Sequence, residues 1–193
     1  MSFEADIMLH EALDKHNVHL SVLVAETGLW ANPEVHRILV AETGRASYFP
    51  KHRRYRPGQG ERCGAVLRNG VRLDNNSLAN HAIKQALGVG KSAKGFETCH
   101  IWPNSCYDVR YHTAIANLVL LPRALASLSD YNAEVRRALQ YRALELYGWY
   151  PAEQAKPSKP NFYPTNWREP EPFTERIAKT IRRRIAAISS WGY

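Results

Sequence analysis

Apolar residues recur every three or four positions over much of the chain, a spacing that predicts amphipathic helices. The clearest case is the last stretch, in which isoleucines share one face and arginine and lysine crowd the other. Helix ends are marked by capping residues before the stretches and by glycines after them, as at Asn32-Pro33 and Gly44. The predicted helices span residues 3–15, 19–26, 33–42, 77–87, 123–130, 133–147 and 173–191.

Shorter apolar runs predict strands at residues 95–101 and 117–121. Residues 65–73 predict a β-hairpin around Asn69-Gly70, because both turn positions tolerate positive φ. The pattern therefore predicts an α+β fold, with a small strand–strand–helix core in a mainly helical domain, plus a β-hairpin. Its regions are an N-terminal helical part with a basic loop (1–60), the core (61–150), and a proline- and aromatic-rich extended segment followed by a basic helix (151–193).

Composition narrows the class of partner. The 193 residues carry a formal charge of +8 at pH 7, which favours polyanions: nucleic acid, an acidic membrane face or an acidic protein. No apolar run is long enough to cross a bilayer, and the N-terminus has no signal pattern. The odd number of cysteines, Cys63, Cys99 and Cys106, favours a reducing compartment. We therefore expect a cytoplasmic protein that does not enter a membrane.

One motif places candidate catalytic and metal-binding residues at the ends of predicted strands. Cys99-His100-Ile101-x-Pro103 ends the strand predicted at 95–101, and Asn117-Leu118-x-x-Leu121 opens the next, just before the helix predicted at 123–130. This order resembles the HNH nucleases, whose ββα-metal core has a metal ligand and a histidine on one strand, an Asn-Leu-x-x-Leu strand, and a helix with further ligands. The resemblance covers residues 95–132 and implies a ββα-metal core inside the helical domain.

The resemblance also implies roles for single residues. His100 would be the general base that activates a water, since an imidazole can accept a proton near neutral pH. Asn117 would brace the loop and so orient His100. Cys99 and Asp130 would bind a divalent metal ion, Mg²⁺, Mn²⁺ or Zn²⁺, that stabilises the charge on the phosphate and the leaving oxygen.

The chain departs from the HNH pattern at the metal ligands. Cys99 stands where Asp or His is usual, and a soft thiolate suits zinc better than magnesium. Ala126, which cannot bind metal, stands where His or Asn is common, so the nearest carboxylate is Asp130 one turn later, with Asn132 as the second choice. Cys99 would otherwise be a small buried apolar residue, and Asp130 a helix-end residue.

Basic residues cluster in three places: the loop at 51–56, the surroundings of the core, and the last helix. A run of exposed cations is often only a solvated surface. Beside a nuclease-like motif, we expect these side chains to contact phosphates instead. The predicted DNA-binding residues are Lys51, Arg53, Arg54, Arg56, Lys91, Lys94, Arg110, Arg182 and Arg183.

These expectations converge on a metal-dependent endonuclease that hydrolyses DNA phosphodiester bonds, with a restriction or defence role by family analogy. The alternative is a nucleic-acid-binding module that keeps the HNH-like fold and has lost cleavage. A basic protein-interaction or membrane-surface domain is a third hypothesis. Double-strand cleavage at a symmetric site would suit a homodimer.

Overall fold

The computed structural model describes Met8, residues 11–13, residues 15–90 and residues 93–189. Within this part of the chain, helices and short strands form the predicted α+β arrangement. The helix predicted at 3–15 falls mostly outside the described residues. In chain order, the α-helices and strands are α1 (Leu20–Thr27), α2 (Pro33–Thr43), β1 (His52–Arg54), β2 (Arg72–Asp74), α3 (Ser77–Leu87), β3 (Phe96–His100), β4 (Leu118–Pro122), α4 (Arg123–Ala126), α5 (Leu128–Tyr131), α6 (Ala133–Tyr147) and α7 (Glu175–Ser189).

The helices with strong end signals have the predicted bounds to within two residues. In α2, Asn32 accepts a hydrogen bond from the backbone N–H of Glu34 at 3.0 Å, and Gly44 ends the helix in the left-handed region at φ 65°. The single helix predicted at 123–130 is wrong. It breaks at Ser127 into two short helices, α4 and α5, so Ala126 and Asp130 belong to different helices.

Strand β4 is buried on both of its faces. It pairs antiparallel with β3, with His100 opposite Leu118 and Cys99 opposite Val119. Side chains alternate along a strand, so Leu118 and Leu120 pack with α2, α3 and α7, whereas Val119 and Leu121 pack with α1 and α6. Burial between two helical layers explains why this strand is continuously apolar.

The proline-rich segment at 149–172 lies against the body of the protein. The backbone N–H of Arg168 donates to the carbonyl of Ala25 at 2.8 Å, and Trp167 packs edge-on against Trp30 at 5.9 Å between ring centroids. Buried residues from all three predicted regions share the two hydrophobic clusters. The regions therefore fold around one another.

The basic stretch at 51–56 is only partly a loop. Its residues His52–Arg54 form β1, which pairs parallel with β2 in the register His52–Arg72 to Arg54–Asp74. A lone three-residue strand has no local signal, which is why its sequence predicts a loop. The hairpin at 65–73 is present, but its turn has positive φ at Gly70 alone, and the Asn69 side chain accepts from the N–H of Val71.

Helix α7 docks through its isoleucines, with Ile177, Ile181 and Ile188 buried. Arg184 does not belong to the exposed basic face that the helical pattern predicts. Its Nε donates to the carbonyl oxygen of Tyr48 at 2.7 Å, and its guanidinium lies over the Phe49 ring at 4.2 Å. Arg182 and Arg183 remain exposed.

Acidification is expected to destabilise the protein through buried histidines. Burial between Tyr147 and Trp149 lowers the pKa of His36 to about 4. Between pH 6.5 and 4 the unfolded chain therefore binds more protons there than the folded chain, and stability falls as the pH falls. His36 alone should remove about 3 kcal/mol across this window. Urea unfolding at pH 7 and pH 4 measures the loss.

The variant His36→Phe keeps an aromatic ring at this position and cannot titrate. Its own loss of stability between pH 7 and pH 4 should be smaller than that of the wild type by about the same amount. His81→Phe, at an exposed histidine of α3, is the matched control and should leave the pH dependence unchanged. Equal pH dependence in the wild type and His36→Phe would contradict the expectation.

Candidate active site

The loop from β3 to β4 is closed by a buried asparagine. Asn117 immediately precedes β4, and its Oδ1 accepts from the backbone N–H of Trp102 at 3.2 Å. Its Nδ2 donates to the Ser105 hydroxyl and to the Tyr111 carbonyl, each at 2.9 Å. The side chain therefore ties the start and the middle of the loop to the residue that precedes β4. Its predicted bracing contacts are present, and its catalytic role stays a prediction.

His100, the last residue of β3, is held in one orientation. Its Nε2 lies 2.9 Å from the carbonyl oxygen of His112, and the two imidazoles stack at 5.4 Å between centroids with 11° between their planes. A carbonyl oxygen can only accept, so Nε2 carries the hydrogen. In the neutral ring, Nδ1 is then the acceptor, and it has no hydrogen-bond partner among the described residues.

A second layer of polar groups holds His112 in turn. Its Nε2 lies 3.2 Å from Asp74 Oδ2, and its side chain is fully buried. Asp74 also accepts from the Ser77 hydroxyl at 2.6 Å and from the N–H of Leu78 at 2.9 Å, at the start of α3. The support for His100 therefore reaches from β2 and α3 through His112.

Burial sets the protonation state of His100. Desolvation lowers its pKa to about 3, and the positive charges of His112 and Arg54 act in the same direction. The imidazole is therefore neutral at pH 7, which leaves the lone pair of Nδ1 available. An anionic phosphate bound beside the ring would act in the opposite direction and raise the pKa.

His100 opens onto a cleft of about 370 Å³. Two guanidinium groups border it: Arg54 is exposed, and Arg123 pairs with Glu97 at 2.9 Å. The cleft is polar, is large enough for a phosphate group, and has positive charge beside the imidazole. Its lining residues are Arg54, Asn76, Glu97, Thr98, Cys99, His100, Trp102, Asn104, Cys106, Arg123, Ala126, Ser127, Ser129 and Asp130.

The two predicted metal ligands line this cleft but differ as donors. The Cys99 thiol donates to the Ala126 carbonyl at 3.5 Å, and burial raises its pKa to about 12. A cysteine binds metal as the thiolate, so this environment does not favour it as a ligand. Asp130 is exposed on α5. In the parts of the chain that the structure describes, no group of three His, Cys, Asp or Glu side chains is placed to hold a metal ion.

These donors do not make a closed zinc site. A single carboxylate such as Asp130 does fit Mg²⁺, which keeps several waters and commonly binds through one or two carboxylates and the substrate phosphates. The neighbouring carboxylate of Glu97 is already paired with Arg123. Asp130 is therefore the better of the two predicted ligands.

The predicted DNA-binding residues do not share one environment. Of those that the structure describes, only Arg54 lines the cleft. Arg53 is held by Glu61 in a two-bond ion pair, and Arg110 is held by Asp108 and Glu153. Their roles stay predictions. Arg56 stacks on the Tyr107 ring, and Arg182 pairs with Glu175. Lys94 and Arg183 are exposed, and Lys51 interacts with other residues of the protein. Lys91 lies outside the described residues.

Sequence reasoning did not find Asp74 as part of the site. Its neighbours Asn75, Asn76 and Ser77 read as the start of a helix, and a capping aspartate is common there. The sequence offers His112, in the polar loop between the two predicted strands, as a metal ligand or a phosphate contact. It is instead buried behind His100, out of contact with the solvent. No spacing in the sequence relates Asp74 to a residue 38 positions later.

The three cysteines should differ sharply in reactivity, because the thiolate is the nucleophile. Burial raises the pKa of both Cys99 and Cys106, whereas Cys63 is exposed. Iodoacetamide at pH 8 is expected to modify Cys63 alone in the folded protein and all three in guanidinium chloride. Mass spectrometry of the digested protein measures each site. Modification of Cys99 as fast as Cys63 would contradict its buried placement.

Comparison with known proteins adds no assignment. No family model, curated protein or solved structure matches the chain. None of the helices in the described residues has the length and apolar character that a membrane span requires. The function is therefore inferred from the cleft and its surroundings.

Proposed function

We propose that the chain is a metal-dependent endonuclease of the HNH, or ββα-metal, type that hydrolyses DNA phosphodiester bonds. One observation carries the proposal: His100 lines a polar cleft with its Nε2 bound to the His112 carbonyl, so that Nδ1 is left as an oriented acceptor. A strand–strand–helix order around it, β3, β4 and α4, agrees with the sequence resemblance. The basic charge of the chain agrees with a polyanionic substrate.

In this reaction, Nδ1 of His100 takes a proton from the attacking water, and the water oxygen forms a bond to phosphorus. The bond between phosphorus and one sugar oxygen breaks, and that oxygen leaves with the electron pair and is protonated by water. The His112 carbonyl and the stacked His112 ring hold the imidazole in one orientation during the transfer. Arg54 offsets charge on the phosphate oxygens. With a pKa of about 3, His100 is always in the basic form near neutral pH, but it is a weak base until the negative phosphate raises that pKa.

Asp130 would hold the divalent metal ion together with the substrate phosphate and water. When bound, that ion stabilises the negative charge that develops on the phosphate and the leaving oxygen. The chain's own contribution is to position the water, through His100, and to keep the loop closed over the cleft, through Asn117.

Plasmid nicking tests the proposal. Supercoiled DNA is incubated with the full chain and Mg²⁺, Mn²⁺ or Zn²⁺, and with EDTA in place of metal. Conversion to the open circular form with at least one metal, and none with EDTA, is expected. Asp130→Asn should lower the affinity for the metal ion, so that half-maximal activity requires a higher metal concentration. Absence of nicking with all three ions contradicts the proposed function.

A DNA-binding module without cleavage is the second candidate. Two observations favour it: burial keeps the Cys99 thiol protonated, and position 126 is alanine. Together they leave few side chains that can bind a metal ion. Duplex binding with steep salt dependence, without nicking under any metal condition, would support this candidate over the nuclease.

A further inference from the structure

Residues 61–72 form an exposed ribbon between β1 and β2. The N–H of Leu67 donates to the carbonyl of Val71, and the N–H of Leu73 donates to the carbonyl of Ala65, both at 2.8 Å. All of residues 62–66 and 68–70 are exposed. Nothing lies within 4 Å of the position that a Cβ would take at Gly70. The ribbon is therefore anchored by Val71, which is buried, while most of its other side chains face the solvent.

The ribbon carries unbalanced positive charge. Arg62, Arg68 and Arg72 are exposed, and Glu61 is the ribbon's only acidic residue. That glutamate is already taken up by the guanidinium of Arg53. In the described residues, neither Arg62 nor Arg68 has a side-chain ion pair or ring contact. Both side chains can therefore reach an acidic partner.

An apolar side chain lies among these arginines. Val66 is 56% exposed and forms a β-bridge with Arg72, so the two residues are cross-strand neighbours. A valine with that exposure contributes little burial to the fold. Beside arginine, it matches the edges of base pairs in a DNA major groove, where guanine offers two acceptors and thymine a methyl group.

The ribbon connects two strands that lead to the candidate site: β1 carries one residue of the cleft lining, and β2 supports the site from behind. Its first strand neighbour, β1, ends at Arg54 beside His100, and β2 ends at Asp74, which holds His112. The major groove of B-DNA is about 12 Å wide and admits a two-stranded β-ribbon. The ribbon therefore has a shape that the major groove of a duplex accepts, and the chain leads from Arg54 of the cleft into it.

We propose that residues 61–72 lie in the major groove of duplex DNA next to the scissile phosphate, with Arg62 and Arg68 contacting base edges. This inference rests on the proposed function for the identity of the polyanion. It extends that function by assigning the substrate form, a duplex, and the segment that selects the sequence. Basic side chains elsewhere would then contact the phosphates alone.

Duplex binding tests the ribbon directly. The probe is a fluorescent 30-base-pair duplex library with a randomised centre, and its affinity is measured by anisotropy in EDTA. R62A/R68A is compared with R37A/R168A, which removes the same charge from exposed arginines of α2 and the extended segment. We expect the ribbon variant to bind at least about tenfold more weakly and the control to stay close to wild type. The proposal is overturned if the Kd of R62A/R68A is less than five times the Kd of R37A/R168A.

A lysine variant separates base contacts from charge. R62K/R68K keeps both positive charges and lacks the guanidinium fork that pairs with guanine. Sequencing the library molecules that remain bound should show that wild type enriches a base preference and that R62K/R68K loses it. An unchanged preference overturns the base contacts.

The same preparations are assayed for plasmid nicking, which keeps the two proposals apart. Wild-type protein that nicks DNA while the ribbon variants bind as the control does overturns the ribbon proposal alone. Ribbon-dependent duplex binding without nicking overturns the nuclease proposal alone. Circular dichroism melting checks that the variants remain folded, which the exposure of both arginines predicts.

Discussion

Replacing His100 with alanine is expected to reduce metal-dependent nicking by about 10²- to 10⁴-fold, the usual contribution of a general base. The substitution removes the only group in the proposed mechanism that accepts the proton of water. Duplex affinity should stay within about threefold of wild type, because the neutral imidazole adds no charge to the cleft. Single-turnover nicking rates and anisotropy in EDTA measure the two quantities separately.

His16→Ala is the matched control. His16 is exposed, and its side chain has no hydrogen bond or ring contact among the described residues. It should nick DNA at the wild-type rate. His100→Ala must also be checked for folding, since it removes a ring stacked on His112. A folded His100→Ala protein that nicks as fast as His16→Ala contradicts the assignment of the base.

Replacing Asn117 with alanine is expected to cost about 3 kcal/mol of stability and about 10² in nicking rate. The substitution leaves the buried N–H of Trp102 without its partner and removes one of the two donors to the carbonyl of Tyr111, which keeps the N–H of Ala114. A buried donor or acceptor left unpaired costs about 1–3 kcal/mol each. The loop between β3 and β4 would then move, and with it the His112 carbonyl that orients His100. Urea unfolding and nicking rates measure the two effects.

Asn117→Asp separates the loop contacts from simple loss of volume. Aspartate can still accept from Trp102, but a carboxylate cannot donate to the Tyr111 carbonyl. It should therefore remain nearly as impaired as alanine. Asn166→Ala, at an exposed position of the extended segment, is the control and should change stability by less than about 0.5 kcal/mol. Wild-type activity in a folded Asn117→Ala protein would contradict the bracing role.

Local patterns predicted the helices well because their signals lie within one turn. Asn32 and Gly44 mark both ends of α2, and the isoleucines of α7 identify its buried face. The pattern failed where pairing partners are distant. β1 has three residues, and its partner β2 lies 20 positions later in register. No periodicity can reveal such a pair.

The core of the candidate site was predicted in order but not in detail. The motif placed His100 near the end of one strand and Asn117 at the start of the next, and the strands end at His100 and begin at Leu118, each within one residue of the prediction. The motif did not predict the environment of each side chain. Cys99 lies in the apolar interior, which raises the pKa of its thiol to about 12, and Arg184 covers the Phe49 ring although the pattern of α7 places it outside.

The order of residues along the chain was enough to predict an α+β protein with a basic charge and a histidine next to a strand end. It was enough because helix spacing and caps depend only on neighbouring residues, and net charge depends only on how many residues of each type the chain has. The hydrogen-bonded path from Asp74 through His112 to His100 arises only on folding, which brings together three residues from separate parts of the chain. Side-chain accessibility, protonation and the direction of Nδ1 depend on those distant neighbours, and no single segment specifies them.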